Sequence, residues 1–222
     1  MSSVGLASIA PVTDPLAELL GEEGEFDDAL SDEAVQRALD AASDTSRSRD
    51  LSALQWPQLG EFEQFIAALG LKHFSAEEFL IKGGNHNTQG SPGFGLNTFP
   101  PKHLWSNIAN TAQALDRFRA EIGKPIAITN AYRSPAYNAA IGGATSSQHM
   151  TFRALDFAVK GLSAFDAADA LRVLRDKQGL FSGGIGRYNG FVHVDTRGAN
   201  TTWPPAFKNK QVAGSLSDLN LV

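Results

Sequence analysis

The chain of 222 residues is 42 % hydrophobic, contains no cysteine and carries a net charge of −5 at pH 7. This length fits one folded domain with an extension, and the lack of cysteine excludes disulfide frameworks and thiolate metal sites, so any metal ion must be held by histidine and carboxylate. Residues 1–50 hold 12 acidic and three basic residues, a net charge of −9, which leaves +4 for residues 51–222. That mild charge is not the concentrated basic patch of a nucleic-acid-binding protein, so we expect no nucleic acid partner.

The acidic residues 1–50 are predicted to form an arm that precedes a domain over residues 51–222, with its core in residues 74–203. Two apolar patches in the arm have the spacing of short amphipathic helices: Leu16, Leu19 and Leu20, then Ala34, Val35, Ala38 and Leu39. Two interpretations are open, a disordered tail and an arm that orders against a partner or a larger assembly. The chain shows no secretory signal pattern and no run of about 20 apolar residues, so we expect no membrane span.

Helical and strand-like patterns are interleaved through the domain. Ser75 opens a helix, because Glu78 follows at the spacing of a capping box. Helices are predicted over 103–122, 136–141 and 163–178, strands over 125–130 and 154–159, a long loop over 83–101 and an irregular tail from 201. Asn189-Gly190 between two strand-like runs predicts a β-hairpin with a type I′ turn. We therefore expect an α+β fold, a small antiparallel sheet with flanking helices.

The predicted hairpin arranges polar side chains opposite glycines. Counting outward from the turn places His193 opposite Gly186 and Asp195 opposite Gly184, with His193 and Asp195 on one strand face. Two glycines across from two polar residues predict an open wall, with room for a metal ion and a substrate.

A second strand and the loop before it complete a candidate metal site. Asp156 alternates with core residues, so its carboxylate faces the same cleft as His193, and His149 lies in the loop that leads into this strand. Two histidines and one carboxylate fit a catalytic zinc ion with one position open for water, whose pKa then falls to about 7. The other histidines are interpreted as structural or surface residues: His73, His86 and His103.

These residues also resemble a known family. The likeness rests on Ala131-Tyr132-Arg133-Ser134-Pro135-Ala136-Tyr137-Asn138, Gly142-Gly143, Ser147-Gln148-His149, Ala154-Leu155-Asp156 and Phe191-Val192-His193-Val194-Asp195. They are similar to the zinc D-Ala-D-Ala carboxypeptidases, a family whose members cleave the peptide part of bacterial peptidoglycan. This family is related to lysostaphin-type enzymes and to the hedgehog signalling domain. The resemblance implies Zn²⁺ held by His149, Asp156 and His193. It also implies that Arg133 binds a substrate carboxylate or stabilises the oxyanion, the alternative being a surface arginine at a helix start.

Two positions depart from the family pattern Ser-x-His-x-x-Gly-x-Ala-x-Asp. Phe152 stands at the glycine, where we expect it to reshape the loop and narrow the pocket. Many members place the general base three residues before the second histidine, where this chain has Gly190. Asp195 is the best replacement as catalytic base because it shares the face of His193, and an equal alternative is that it orients a ligand or loop. Ser147 either shapes the loop or binds substrate.

The sequence therefore predicts a zinc metallopeptidase that cleaves peptidoglycan stem peptides, as a carboxypeptidase that removes terminal D-Ala or as an endopeptidase. We expect synthesis in the cytoplasm and action in the periplasm or cell wall, as a phage lysis enzyme released through a holin or as a virion-associated enzyme. A periplasmic bacterial enzyme is the alternative origin. The rival function is a catalytically inactive cell-wall-binding or structural module of a phage particle, which would keep the fold and the metal.

Overall fold

The computed structural model describes residues 31–43 and 56–221. The patch predicted around Leu16 and the boundary predicted at residue 51 lie outside these ranges, and the division into arm and domain stays a prediction.

A five-stranded sheet organises the fold. Its strands are β1 (Ile126–Asn130), β2 (Ala154–Val159), β3 (Gly184–Arg187), β4 (Val192–Asp195) and β5 (Thr201–Trp203). They lie in the order β1-β2-β4-β3-β5, with every neighbouring pair antiparallel except the parallel pair β3 and β5. The predicted α+β fold with a small, mostly antiparallel sheet is confirmed. The prediction of an irregular tail is wrong at its start, because β5 adds a strand to the edge of the sheet.

Helices flank this sheet. The α-helices are α1 (Asp32–Ser43), α2 (Leu59–Ala68), α3 (Gly84–Asn87), α4 (Ala109–Ile122), α5 (Pro135–Ala140), α6 (Ala164–Asp176) and α7 (Pro205–Lys208). Short 3-10 helices cover Ala76–Leu80, Lys102–Ile108 and Ser217–Leu219. The helix predicted over 103–122 thus begins as a 3-10 helix and continues as α4. The predicted capping box of Ser75 and Glu78 is present, although the helix that it opens is a short 3-10 helix.

The hydrophobic core lies between the sheet and the helices α4 and α6. Leu155 and Phe157 of β2 belong to this core, as do Val192 and Val194 of β4. Side chains alternate along a strand, so the polar residues between them face the opposite side of the sheet. One face of the sheet therefore builds the core, and the other presents the candidate site.

Helix α1 comes from the acidic segment and packs on the edge of the sheet beside β1. Leu39 and Ala42 are buried there. Arg119 Nη2 donates a hydrogen bond to the carbonyl oxygen of Ala42 at 2.7 Å, and Lys160 Nζ donates to Asp40 Oδ1 at 2.9 Å. This part of the acidic segment is thus held on the mildly basic domain by both apolar contact and charge.

Phe152 adopts the backbone conformation that favours glycine. Its φ is 53°, in the left-handed region that costs a residue with a Cβ about 1–2 kcal/mol. The side chain is fully buried in the core, with its ring centroid 6.3 Å from that of Phe62 and 6.1 Å from that of Tyr132. The expectation that Phe152 narrows the pocket is wrong, because the ring points into the core, where its burial offsets the backbone strain.

Replacing Phe152 separates these two contributions to stability. We expect Phe152→Ala to lower the free energy of unfolding by about 3–5 kcal/mol, because it removes a buried ring and keeps the left-handed strain. Phe152→Gly removes the same ring and relieves the strain, so we expect it to be about 1 kcal/mol more stable than Phe152→Ala. Urea unfolding followed by circular dichroism measures both, and an alanine variant as stable as the glycine variant would contradict the strain.

Candidate metal centre

The ladder between β2 and β4 brings two of the predicted ligands together. Asp156 lies directly opposite His193 in this antiparallel pair, and His193 lies opposite Gly186 in the hairpin, as predicted. Tyr188 N donates to Phe191 O at 3.1 Å, so the pairing continues beyond the ends of β3 and β4 and leaves Asn189 and Gly190 as the two residues of the turn. The predicted type I′ turn is wrong, however, because neither Asn189 nor Gly190 has the positive φ that this turn requires. Strand pairing, rather than the turn type, maintains the register.

His149 reaches the same place from a loop. Its carbonyl oxygen accepts hydrogen bonds from Phe152 N at 3.0 Å and Arg133 N at 3.3 Å, which anchors the loop to the end of β1. Its Nδ1 lies 2.6 Å from the carbonyl oxygen of Ala131 and donates to it. The ring is thereby oriented with Nε2 toward Asp156 and His193.

Three side-chain atoms form a small triangle at this point. His149 Nε2 lies 3.2 Å from Asp156 Oδ1 and 3.1 Å from His193 Nδ1, and these last two atoms are 3.0 Å apart. A tetrahedral zinc ion with bonds of about 2.0–2.1 Å places its ligand atoms roughly 3.3 Å from one another. The spacing of the three atoms therefore fits zinc.

The outer hydrogen bonds of the two histidines determine which ring nitrogens face inward without a proton. His149 Nδ1 donates to Ala131 O, and His193 Nε2 lies 3.1 Å from Asp195 Oδ2, so the inward nitrogens are His149 Nε2 and His193 Nδ1. With Asp156 Oδ1, they bring three lone pairs together among residues that are at most 2 % exposed. Such lone pairs repel one another unless a cation lies between them, so the chemistry of the donors also fits a metal ion.

Both carboxylates of the site are held in their charged form. Burial acts to raise the pKa of Asp156, but in the metal-free site the charge and hydrogen bonding of His149 and His193 outweigh it and hold the pKa well below its usual range. In the metal-bound site the cation takes over this role, because the histidine nitrogens then face it as lone pairs. Burial also acts to raise the pKa of Asp195, and the hydrogen bonds from His193 and Arg197 outweigh it in the same way. An ionised Asp156 is the form that a metal ion requires.

Arg133 contacts a candidate ligand. It is fully buried, and its Nη2 donates to Asp156 Oδ2 at 3.1 Å. It is therefore not the surface arginine that the sequence left as an alternative. Its hydrogen bond goes to Asp156 Oδ2, whereas the histidines contact Asp156 Oδ1.

Asp195 lies behind His193. Its carboxylate accepts hydrogen bonds from Arg197 Nη2 at 2.7 Å and from Gly184 N at 3.1 Å, in addition to its contact with His193 Nε2. The imidazole ring separates this carboxylate from the nitrogen that faces the other donors. This is the arrangement in which a carboxylate orients a metal-binding histidine.

The space beside Gly184 and Gly186 on the hairpin is not open. An added Cβ on Gly186 would lie 2.5 Å from the Trp203 ring, and one on Gly184 would lie 3.0 Å from it. The Trp203 ring centroid is 5.1 Å from that of His193, and Trp203 Nε1 donates to Tyr188 Oη at 2.7 Å. The prediction of empty space beside the two glycines is wrong, because the indole brought by β5 occupies it.

The remaining candidates take other places. The Oγ of Ser147 is buried with no hydrogen-bond partner in the described part of the chain, so its role in binding substrate stays a prediction. Within residues 31–43 and 56–221, the group that could hold a metal ion consists of the three predicted ligands and omits His73, His86 and His103. Sequence reasoning missed Trp203 as a neighbour of His193 and Arg197 as a partner of Asp195.

Comparison with known proteins agrees with this geometry. The sequence profile of the family described as Peptidase M15 matches residues 72–195, over half of the chain. The chain belongs to the peptidase M15 family. It is a zinc metallopeptidase, and the match includes His149, Asp156 and His193. Searches of curated proteins and of solved structures found no match.

Within the described residues of this M15 peptidase, no helix is both long and apolar enough to cross a bilayer.

Metal analysis tests the three donors directly. We expect about one zinc ion per chain in the wild type, and a loss of zinc affinity of more than about 100-fold in His193→Ala, because a missing ligand costs more than a missing outer partner. His103→Ala is the matched control, since His103 is exposed and lies outside the donor group. Equal zinc content in both variants would contradict the assignment.

Proposed function

We propose that this M15 peptidase cleaves the peptide part of bacterial peptidoglycan and that His149, Asp156 and His193 hold its zinc. The observation that carries the proposal is the triangle of donor atoms, 3.0–3.2 Å apart, inside the segment that matches the family. The family resemblance supports the substrate class. The positive charge of residues 51–222 suits an anionic polymer of this kind.

The side chains of the site have different roles in the proposed reaction. When bound, zinc supplies Lewis acidity, which polarises a scissile carbonyl and lets water act as a nucleophile near neutral pH. Asp156 and the two histidines supply three ligands, which leaves a fourth position for the reactants. Trp203 packs beside His193 and excludes water from that side of the ring.

We assign Asp195 to positioning rather than to proton transfer. Of the two roles left open by the sequence, positioning is the one that its contacts support, because the carboxylate accepts from His193, Arg197 and Gly184. It keeps the proton of His193 on Nε2 and aims Nδ1 at the other donors.

Asp195→Asn distinguishes the two roles. If Asp195 positions His193, we expect zinc affinity to fall by about 10–100-fold and activity to recover when zinc is added in excess. The asparagine keeps the size of the side chain but removes the charge that holds His193. Zinc titration by chelator competition, combined with activity at saturating zinc, measures both effects. Unchanged affinity with lost activity at saturating zinc would instead assign Asp195 as the general base.

Digestion of purified peptidoglycan tests the substrate. We expect the wild type with zinc to release peptide fragments or D-Ala, and His149→Ala to release neither. Mass spectrometry of the products separates the two proposed activities, because a carboxypeptidase releases single D-Ala residues whereas an endopeptidase releases longer fragments or opens cross-links. His103→Ala serves again as the control. Failure of the zinc-loaded wild type to release any product would leave wall binding without cleavage, the rival function.

The location of the enzyme in a phage particle or a lysis system, and docking through residues 1–50, remain proposals. Their support is the contrast between the charge of −9 in residues 1–50 and that of +4 in the rest of the chain.

A further inference from the structure

We infer that Asn130 and Arg133 clamp one oxygen of Asp156 so that this residue binds zinc through its other oxygen alone. The inference rests on the proposed metal site and adds the residues that control its coordination number. Its consequence is an open position on the metal, which peptide hydrolysis needs for water and substrate.

The two oxygens of Asp156 have separate partners. Oδ1 lies 3.2 Å from His149 Nε2 and 3.0 Å from His193 Nδ1, so it is the oxygen at the donor triangle. Oδ2 accepts from Arg133 Nη2 at 3.1 Å and from Asn130 Nδ2 at 3.3 Å. Two donors on Oδ2 oppose the rotation of the carboxylate that would bring this oxygen toward the metal.

A shift in strand pairing puts Asn130 in reach of Asp156. In the ladder between β1 and β2, Ile128 lies opposite Phe157, but the next pair is Asn130 with Asp156, so Thr129 is an extra residue. Without this β-bulge, the regular alternation would place Thr129 opposite Asp156 and turn Asn130 toward the core. The bulge therefore places an amide donor on the face of the metal site.

Arg133 lies three residues after Asn130 and also contacts Asp156. Its backbone N donates to the carbonyl oxygen of His149, while its Nη2 donates to Asp156. One residue thus links the loop of the first histidine to the carboxylate ligand. The guanidinium also balances the charge of a carboxylate that is 2 % exposed, which makes the clamp stable in a buried site.

The alternative geometry would hinder catalysis. A carboxylate that binds through both oxygens occupies two positions on a zinc ion, so with two histidines it fills all four positions of a tetrahedral site. Water or substrate could then bind only as a fifth ligand, which raises the coordination number of the ion. We therefore class Asn130 and Arg133 as positioning residues, which act through Asp156.

Replacing zinc by cobalt reports the coordination number of the metal without a substrate. The visible absorption of Co²⁺ is strong in four-coordinate sites and weakens as the coordination number rises. We expect Asn130→Ala to weaken this absorption and to lower zinc affinity by about 10-fold, measured by chelator competition. Asn130→Leu fills the space without restoring a donor, so it should show the same change if the alanine variant folds poorly.

Thr111→Val is the control for the loss of a buried hydrogen bond. Thr111 is fully buried, and its Oγ1 donates to Arg153 O at 2.7 Å and accepts from Thr196 Oγ1 at 2.8 Å, neither of which belongs to a metal ligand. We expect its cobalt spectrum to equal that of the wild type. Wild-type absorption and wild-type zinc affinity in both Asn130 variants would overturn the clamp.

This outcome is separable from the fate of the proposed function. If the wild type binds cobalt as a four-coordinate site but cleaves no peptidoglycan, the substrate proposal fails and the clamp is still decided by the variants. If the wild type binds no cobalt at all, the metal site and the clamp fail together.

Discussion

The convergence of three hydrogen-bond acceptors in a buried place is the constraint on which the rest of this structure depends. His149 Nε2, His193 Nδ1 and Asp156 Oδ1 face one another at 3.0–3.2 Å. Desolvated lone pairs at this separation repel one another, and a divalent cation turns the repulsion into attraction. At the proposed metal site, the free energy of metal binding would therefore help to hold the loop of His149 against the strands β2 and β4.

Each of the three donors is held from behind by a different kind of partner. A backbone carbonyl oxygen orients His149, a carboxylate orients His193, and an arginine and an amide hold Asp156. These outer contacts determine which atom of each ligand faces the centre. Because all of them are buried, a lost contact is not replaced by water, and its effect should reach the metal directly.

The position of Asp195 changes how the missing acid at Gly190 is understood. A carboxylate that shares a strand face with His193 could take a proton from the attacking water or could orient the histidine by a hydrogen bond. The contacts with Arg197 and Gly184 direct it to the histidine. These contacts are the reason that we propose a positioning role for Asp195 in place of proton transfer.

Local patterns in the sequence were sufficient for the parts of the site that depend on alternation along a strand. Asp156 and His193 were assigned to one face because every second side chain of a strand faces the same way, and the hairpin register followed from the two-residue connection. The capping box at Ser75 was found for the same reason, since its residues are neighbours in the chain. The family pattern has glycine at the position of Phe152, and only the structure shows the left-handed backbone there that glycine favours.

Only the tertiary structure decided the features that join distant segments. Trp203 fills the space beside Gly186 because β5 pairs with β3, and no spacing in the chain encodes that pairing. Asn130 reaches Asp156 through a bulge that alternation alone would not predict, and Phe152 turns into the core because Phe62 and Tyr132 surround it there. The sequence by itself determined which residues could bind zinc, because ligand chemistry and strand periodicity are local. The packing of distant segments decided which atom of each ligand faces the metal and what surrounds it, because these depend on contacts between residues far apart in the chain.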